Sequence, residues 1–162
     1  MTTDRALRAA SVRYKIVDPR SDVAQRALAR YFAELDARFR TGFDVAVAGA
    51  DAVDTMAAPD GAFVVVLSDE TLVGCGGVQH VVDDTAEIKR MWIDDAWRRL
   101  GLGGRLLRHL ELVAADLGRD RVVLDTNEVL LEAITMYQRA GYHAIERYND
   151  SPYAHHWFAK EL

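Results

Sequence analysis

The stretch Arg98-Arg99-Leu100-Gly101-Leu102-Gly103-Gly104-Arg105, with Arg108 just beyond it, holds the densest chemical signal in the chain. It leads into an apolar stripe at helical spacing, Leu102, Leu106, Leu110, Val113 and Leu117, closed by Gly118. Where a helix starts, unpaired backbone N–H groups converge at the positive end of its dipole, and glycines let a ligand reach them, so phosphate is the natural guest. A glycine turn followed by a helix with a solvated arginine face fits the same residues. Two familiar phosphate loops are excluded by inspection. The dinucleotide fingerprint needs a third glycine where Leu106 stands, and Gly104-Arg105-Leu106 is not the Gly-Lys-Ser/Thr of an ATP-binding loop. Neither NAD nor ATP is favoured.

Other reactive residue types are sparse. Cys75, the single cysteine, lies between Gly74 and Gly76 with no activating neighbour, so it reads as a small buried residue and leaves no internal disulfide. His155 and His156 follow a turn into the last apolar run. Either could act as a base near neutral pH, but adjacent strand residues face opposite sides, and without a third ligand they make no metal site. No metal is expected.

These residues need a scaffold. The chain has 162 residues, 50% hydrophobic and 28% charged, which suits one domain. A net charge of -5 argues against a nucleic-acid partner, and no apolar run approaches the ~18 residues of a spanning helix, so no membrane partner is expected. With no exported leader and one cysteine, a soluble, cytoplasmic protein is expected.

Residues 1–11 show no partner pattern and are expected as a flexible N-terminus before a domain over 12–162. Val12–Val17 alternates at period two, and Ala24, Leu28, Tyr31, Leu35 and Phe39 mark a helix face that Ser21 or Asp22 can cap. Residues 40–61 read as a loop with a short helix near Val53–Met56. Phe63–Leu67, Leu72–Val82 and Ala86–Ile93 form a meander in which Gly74, Gly76 and Gly77 mark a bulge or a close backbone approach. A helix from Leu102, a strand over Arg121–Thr126, a helix through Leu130, Ala133, Ile134 and Tyr137, and strands over Tyr142–Tyr148 and His155–Leu162 complete the order. The fold class is α/β (α+β), a single domain with a mixed, largely antiparallel sheet flanked by helices.

Three segments together resemble the GNAT family of N-acetyltransferases. Arg98-x-x-Gly101-x-Gly103 looks like that family's acyl-CoA pyrophosphate loop, Ala86–Ile93 its fourth strand, and Ala133-Ile134-x-x-Tyr137-x-x-x-Gly141-Tyr142 a later signature. They cover about residues 63 to 162. Asp95 stands where many members have proline. Leu130 stands where an asparagine often precedes the tyrosine, and Asn127 is the candidate substitute for its pantetheine contact.

The resemblance implies transfer of an acetyl group from acetyl-CoA to a primary amine of a small molecule such as an amino acid. It places the donor on the backbone of Met91, Trp92 and Ile93 and on the loop from Arg98 through Arg99, Leu100, Gly101, Leu102 and Gly103 to Gly104 and Arg105. It implies Tyr137 as the acid that protonates the leaving thiolate, a role open to a phenol with pKa near ~10. Tyr137 also falls on an apolar stripe and could simply pack. Glu87 matches a base position, and period two would put it on one face with Lys89 and Met91; a lone strand glutamate is also commonly a cross-strand partner. The acceptor pocket would lie between Tyr31–Asp44 and Asn149–His155, with Glu34, Asp36 and Asp44 for a cation and Arg38 and Arg40 for a carboxylate. Two other readings fit the segments: a non-catalytic acyl-CoA-binding domain, and transfer to protein N-termini or lysines. A homodimer is a fair expectation for the family.

Overall fold

Continuous apolar runs flanked by helical stripes fold as a sheet covered on both faces, and a computed structural model shows this architecture over residues 2–49 and 52–162. Met1 of the expected tail and residues 50 and 51 of the expected 40–61 loop lie outside the described residues. The elements are α1 (Thr2–Ala10), β1 (Arg13–Val17), α2 (Asp22–Arg38), a short 3-10 turn at Asp54–Met56, β2 (Ala62–Ser68), β3 (Thr71–Val82) and β4 (Thr85–Ile93). A second 3-10 turn at Asp95–Trp97 leads to α3 (Leu102–Asp116), β5 (Arg121–Thr126), α4 (Leu131–Arg139), β6 (His143–Ala144) and β7 (His156–Glu161). The strands form one sheet in the order β1-β2-β3-β4-β5-β7-β6. Among the described pairings β4–β5 is parallel and the others are antiparallel.

Alternate residues of β2 supply two cores. Val64 and Val66 join Leu106, Leu110 and Tyr137 on the α3/α4 face, while Phe63 and Val65 join Ala24, Leu28, Cys75 and Trp92 on the α2 face. Burial of both faces is why β2 reads as an unbroken apolar run. The β3 glycines answer to the same packing. A side chain at Gly76 would stand 2.5 Å from Leu110 Cδ1, and one at Gly74 would meet Trp92 O and Ile93 Cδ1, both at 2.8 Å.

Two features position the site. β4 carries a bulge, since Lys89 to Trp92 advances three residues while its partner advances two, from Gly77 to Cys75. The extra residue is Arg90, at φ +59°, a left-handed conformation unusual for a bulky side chain. β4 and β5 also pair only from Thr85↔Arg121 to Glu87↔Val123, after which the parallel strands part.

The structure corrects the sequence reading in three places. Residues 2–10 form a helix, docked through buried Ala9, whose carbonyl accepts from Arg105 Nη1 at 2.7 Å. The strand expected over Tyr142–Tyr148 shortens to His143–Ala144, because the chain beyond turns Tyr148 and Asn149 inward to bond β4 and β5. The bulge removes Met91 from the face of Glu87: Met91 packs with Ile88 against the α3/α4 core.

Gly74→Ala should lower the chemical-denaturation midpoint, costing about 1–3 kcal/mol, because its methyl group meets a backbone carbonyl in a packed interior.

Candidate active site

The parted strands open a cleft of about 1700 Å³, bordered by β4, β5, α2, the start of α3, and α4. Its edge on β4 follows from hydrogen-bond alternation. Asp94 N–H donates to Val73 O at 2.8 Å, so the N–H and C=O of the preceding Ile93 point away from β3, into the gap. Arg98 Nε donates to that Ile93 carbonyl at 3.0 Å, leaving the Ile93 N–H facing the cleft.

At one end of the cleft, Gly101 at φ +77° turns the chain into α3 with no side-chain cap. The first-turn N–H groups of Leu102, Gly103 and Gly104 therefore have no carbonyl within the helix to pair with. Cβ atoms built at Gly101 or Gly104 meet nothing within 4 Å, so the backbone there is open to a guest. Exposed Arg99, at φ +64°, and Leu100 line the same end, as does Arg5 of α1. Two expected phosphate-loop cations are engaged elsewhere. Arg98 bonds Glu34 of α2 as well as Ile93, and Arg105 is tied to Ala9 outside the cleft lining. The anion site is thus mainly backbone. It fits a pyrophosphate through N–H groups and the helix dipole.

Trp92 sends its side chain to the α2 core, under the Arg30 guanidinium at 4.5 Å, so only its backbone belongs to the cleft. Asn127 is also committed: its Nδ2 donates to Tyr153 O at 2.8 Å and its Oδ1 accepts from Val129 N–H at 3.0 Å. It fixes the turn before α4 to the loop before β7 and also lines the cleft. Tyr137 is 7% exposed and its hydroxyl lies 4.0 Å from Met91 Sδ, against the free edge of β4. Burial pushes its pKa above the ordinary phenol range, which keeps the proton on at neutral pH. Tyr137 packs on Tyr142 and also lines the cleft.

Where β4 and β5 part lies a polar cluster in which the sequence pointed to Glu87, to Lys89 beside it, and to Asn149 as an edge of the acceptor region. Glu87 Oε1 accepts from Gln79 Nε2 at 2.7 Å and lies 3.6 Å from Lys89 Nζ, and its Oε2 accepts from Tyr148 Oη at 2.5 Å. Asn149 Nδ2 bridges the two carboxylates, at 2.7 Å to Asp125 Oδ2 and 3.4 Å to Glu87 Oε2, while its Oδ1 accepts from Trp157 Nε1 at 2.9 Å. Burial raises the Asp125 pKa and lowers that of Lys89. Asp125 escaped sequence reading because it sits in a short apolar strand; its signal was a lone acid between Leu124 and Thr126.

The charges expected to receive the acceptor are engaged with the protein. Glu34 pairs with Arg98 and Arg38 with Glu132, Asp36 Oδ1 accepts from Phe43 N–H, and Asp44 Oδ1 accepts from Ala46 N–H. Arg40, His155 and His156 do not line the cleft. His155 Nδ1 instead accepts from Glu128 N–H at 3.1 Å. An unforeseen aromatic wall closes this end, with Tyr153 4.7 Å from Phe43 and 5.6 Å from Phe39 between ring centroids. Cys75 is buried with its pKa pushed up, as an inert core thiol should be. Among the described residues no His/Cys/Asp/Glu group could hold a metal ion, and no helix is long and apolar enough to cross a membrane.

Comparison with known proteins bears on this geometry. Residues 25–142 match the sequence profile of the Acetyltransferase (GNAT) family. The chain is 35% identical over 85 residues to human N-acetyltransferase 8, a match spanning 49% of this chain and 37% of that protein. This chain therefore aligns with little more than a third of that relative. A GNAT-family acetyltransferase from Staphylococcus aureus MU50 superposes with TM-score 0.78 at 15% identity, over 94% of this chain and 99% of the other. A GNAT-family acetyltransferase from Elizabethkingia anophelis with acetyl-CoA bound gives TM-score 0.66 at 13% identity, over 93% and 98%.

The raised Asp125 pKa has a stability consequence. Its folded value lies above the unfolded one, so the carboxyl costs nothing below the unfolded pKa, and the cost grows as pH rises through the unfolded and then the folded value. Asp125→Asn retains an oxygen for Asn149 and removes the charge. It should raise the thermal midpoint relative to wild type more at pH 8 than at pH 4.

Proposed function

The chain belongs to the acetyltransferase (GNAT) family, and on that premise we propose that it transfers an acetyl group from acetyl-CoA to the primary amine of a small molecule. Acetyl-CoA would supply the acyl group activated as a thioester. Every other requirement falls to the chain. The α3 start, at Gly101–Gly104, holds a pyrophosphate on backbone N–H groups. The free edge of β4 at Ile93 offers an N–H to the carbonyl oxygen as charge develops on it. As the amine nitrogen bonds the acyl carbon and the carbon–sulfur bond breaks, the nitrogen gives up its proton and the sulfur takes one.

Tyr137, neutral and next to Met91, holds the proton for the sulfur. Glu87 on β4 and Asp125 on β5 are the carboxylates that take up the proton the amine gives up, directly or through water. The single observation carrying this reading is that Tyr137, the open N-terminus of α3 and the unpaired stretch of β4 border one cleft.

A domain that only bound the donor would have no need of a buried phenol at the reacting end. A small acceptor is favoured over a protein segment because the Phe39/Phe43/Tyr153 wall and the bond from Asp44 N–H to Tyr153 Oη at 2.9 Å narrow the acceptor end.

Thiol release from acetyl-CoA, measured against pooled amino acids, polyamines, aminoglycosides and short peptides, tests the proposal. Release that depends on an acceptor supports it; no release from any pool contradicts it. Tyr137→Phe should lower kcat by about 10²-fold with a modest change in the KM for acetyl-CoA. An unchanged kcat would remove the acid assignment.

A further inference from the structure

Asn149 belongs to the turn-rich segment before β7, yet its side chain lies between the two carboxylates of the cleft. The strand register explains how. Asp125 of β5 stands directly opposite Trp157 of β7, and residues paired in this way share a face of the sheet, so an indole N–H and a carboxylate flank one place that the Asn149 amide fills. Across the gap, Glu87 of β4 stands opposite Gln79 of β3, which bonds it.

An indole nitrogen only donates. Trp157 Nε1 at 2.9 Å and Ser151 N–H at 3.3 Å therefore hold the Asn149 oxygen on their side, and its nitrogen must face the carboxylates. That nitrogen has two hydrogens and two acceptors, Asp125 Oδ2 and Glu87 Oε2. The carboxylates differ in what else holds them. Glu87 is buried with both oxygens occupied, Oε1 by Gln79 with Lys89 nearby and Oε2 by Tyr148 and Asn149, so a substrate proton would have to displace one of these bonds. Among the described residues, the donor to the Asp125 carboxylate is Asn149 alone, through Oδ2, which leaves Oδ1 to the cleft that Asp125 lines.

We infer that Asn149, held by Trp157, is a positioning residue that ties Asp125 to the anchored Glu87 across the gap and presents the remaining Asp125 oxygen to the acceptor, so that Asp125 rather than Glu87 takes the amine proton. This rests on the acetyl-transfer reading above and assigns the proton within it. As the nitrogen bonds the acyl carbon it loses a proton to Asp125 Oδ1, the carbon–sulfur bond breaks, and the sulfur takes the Tyr137 proton. Solvent then carries the proton from Asp125 back to the tyrosinate.

The bridge has a signature that packing alone would not give. The titratable and charged groups around Asp125 are Glu87, Lys89 and Arg90 on β4, Tyr148 after β6, Tyr137 on α4 and Tyr31 on α2. Burial raises the Asp125 pKa and the Asn149 bond opposes that rise, so loosening the amide should move the carboxyl further up. Trp157→Phe keeps the ring and removes the N–H that fixes the amide; Asn149→Leu removes the amide itself.

The first measurement is a carboxyl carbon-13 NMR titration of aspartate-labelled protein, with the Asp125 signal identified by its loss in Asp125→Asn. Its midpoint should move to higher pH in Trp157→Phe and Asn149→Leu, and an unmoved midpoint in both would overturn the positioning role. The second is kcat against pH at saturating acetyl-CoA, with the pooled amine that turns over fastest as acceptor. Asp125→Asn should lower kcat about 10²-fold and Glu87→Gln less than about tenfold, while the loss in Trp157→Phe should be made good at higher pH. A large loss in Glu87→Gln with Asp125→Asn still active, or neither variant impaired, would overturn the assignment of Asp125 and leave acetyl transfer standing. Absence of acceptor-dependent thiol release by wild type would instead overturn the acetyl-transfer reading, with the proton transfer that rests on it.

Discussion

The site depends on β4 and β5 ceasing to pair after Glu87 and Val123 while both strands continue. A parallel pair that stayed in register would satisfy its own backbone groups and leave nothing to hold a ligand. The bulge at Arg90 bends β4 and breaks the register on its β3 side. From the gap follow the free edge at Ile93, the space into which Tyr137 points its hydroxyl, and the floor where Asp125 and Glu87 face the cleft.

Holding such a gap open requires ties around it, and much of the local charge serves that purpose. Arg98 joins the end of β4 to Glu34 on α2, and Arg38 joins α2 to Glu132 on α4. Asn127 and Asn149 fasten the loop before β7 to β5 and its following turn. These contacts tie the cleft walls together and occupy Arg98, so under the proposed reading the phosphates would be met by the backbone at the start of α3, with Arg99 and Arg5 beside it. In a low-dielectric cleft a fixed N–H costs little to reorganise, which suits a role in which charge appears only as the reaction proceeds.

Much of the fold was legible because periodicity survives in helices and strands buried on a regular face. The α3 stripe and the β2–β4 meander appear within a residue or two of their expected bounds. The glycine-rich loop and Tyr137 were legible as a pattern whose parts fall in one cleft. What escaped depends on tertiary contact. The partners of Arg98 and Arg105 come from α2, β4 and α1, and Asn127 is held by a loop distant in sequence. Period-two counting through β4 failed at Arg90, because a bulge shifts every later residue to the other face. The Asp125–Asn149–Glu87 bridge joins three segments that share no local signature.

Amide hydrogen exchange with and without CoA tests the central claim most directly. The parted strands and the open start of α3 should act together, so CoA should slow exchange both at Met91–Ile93 and at Leu102–Gly104. Protection confined to α3, or absent from both segments while CoA binds, would contradict the account that the gap between β4 and β5 receives the donor.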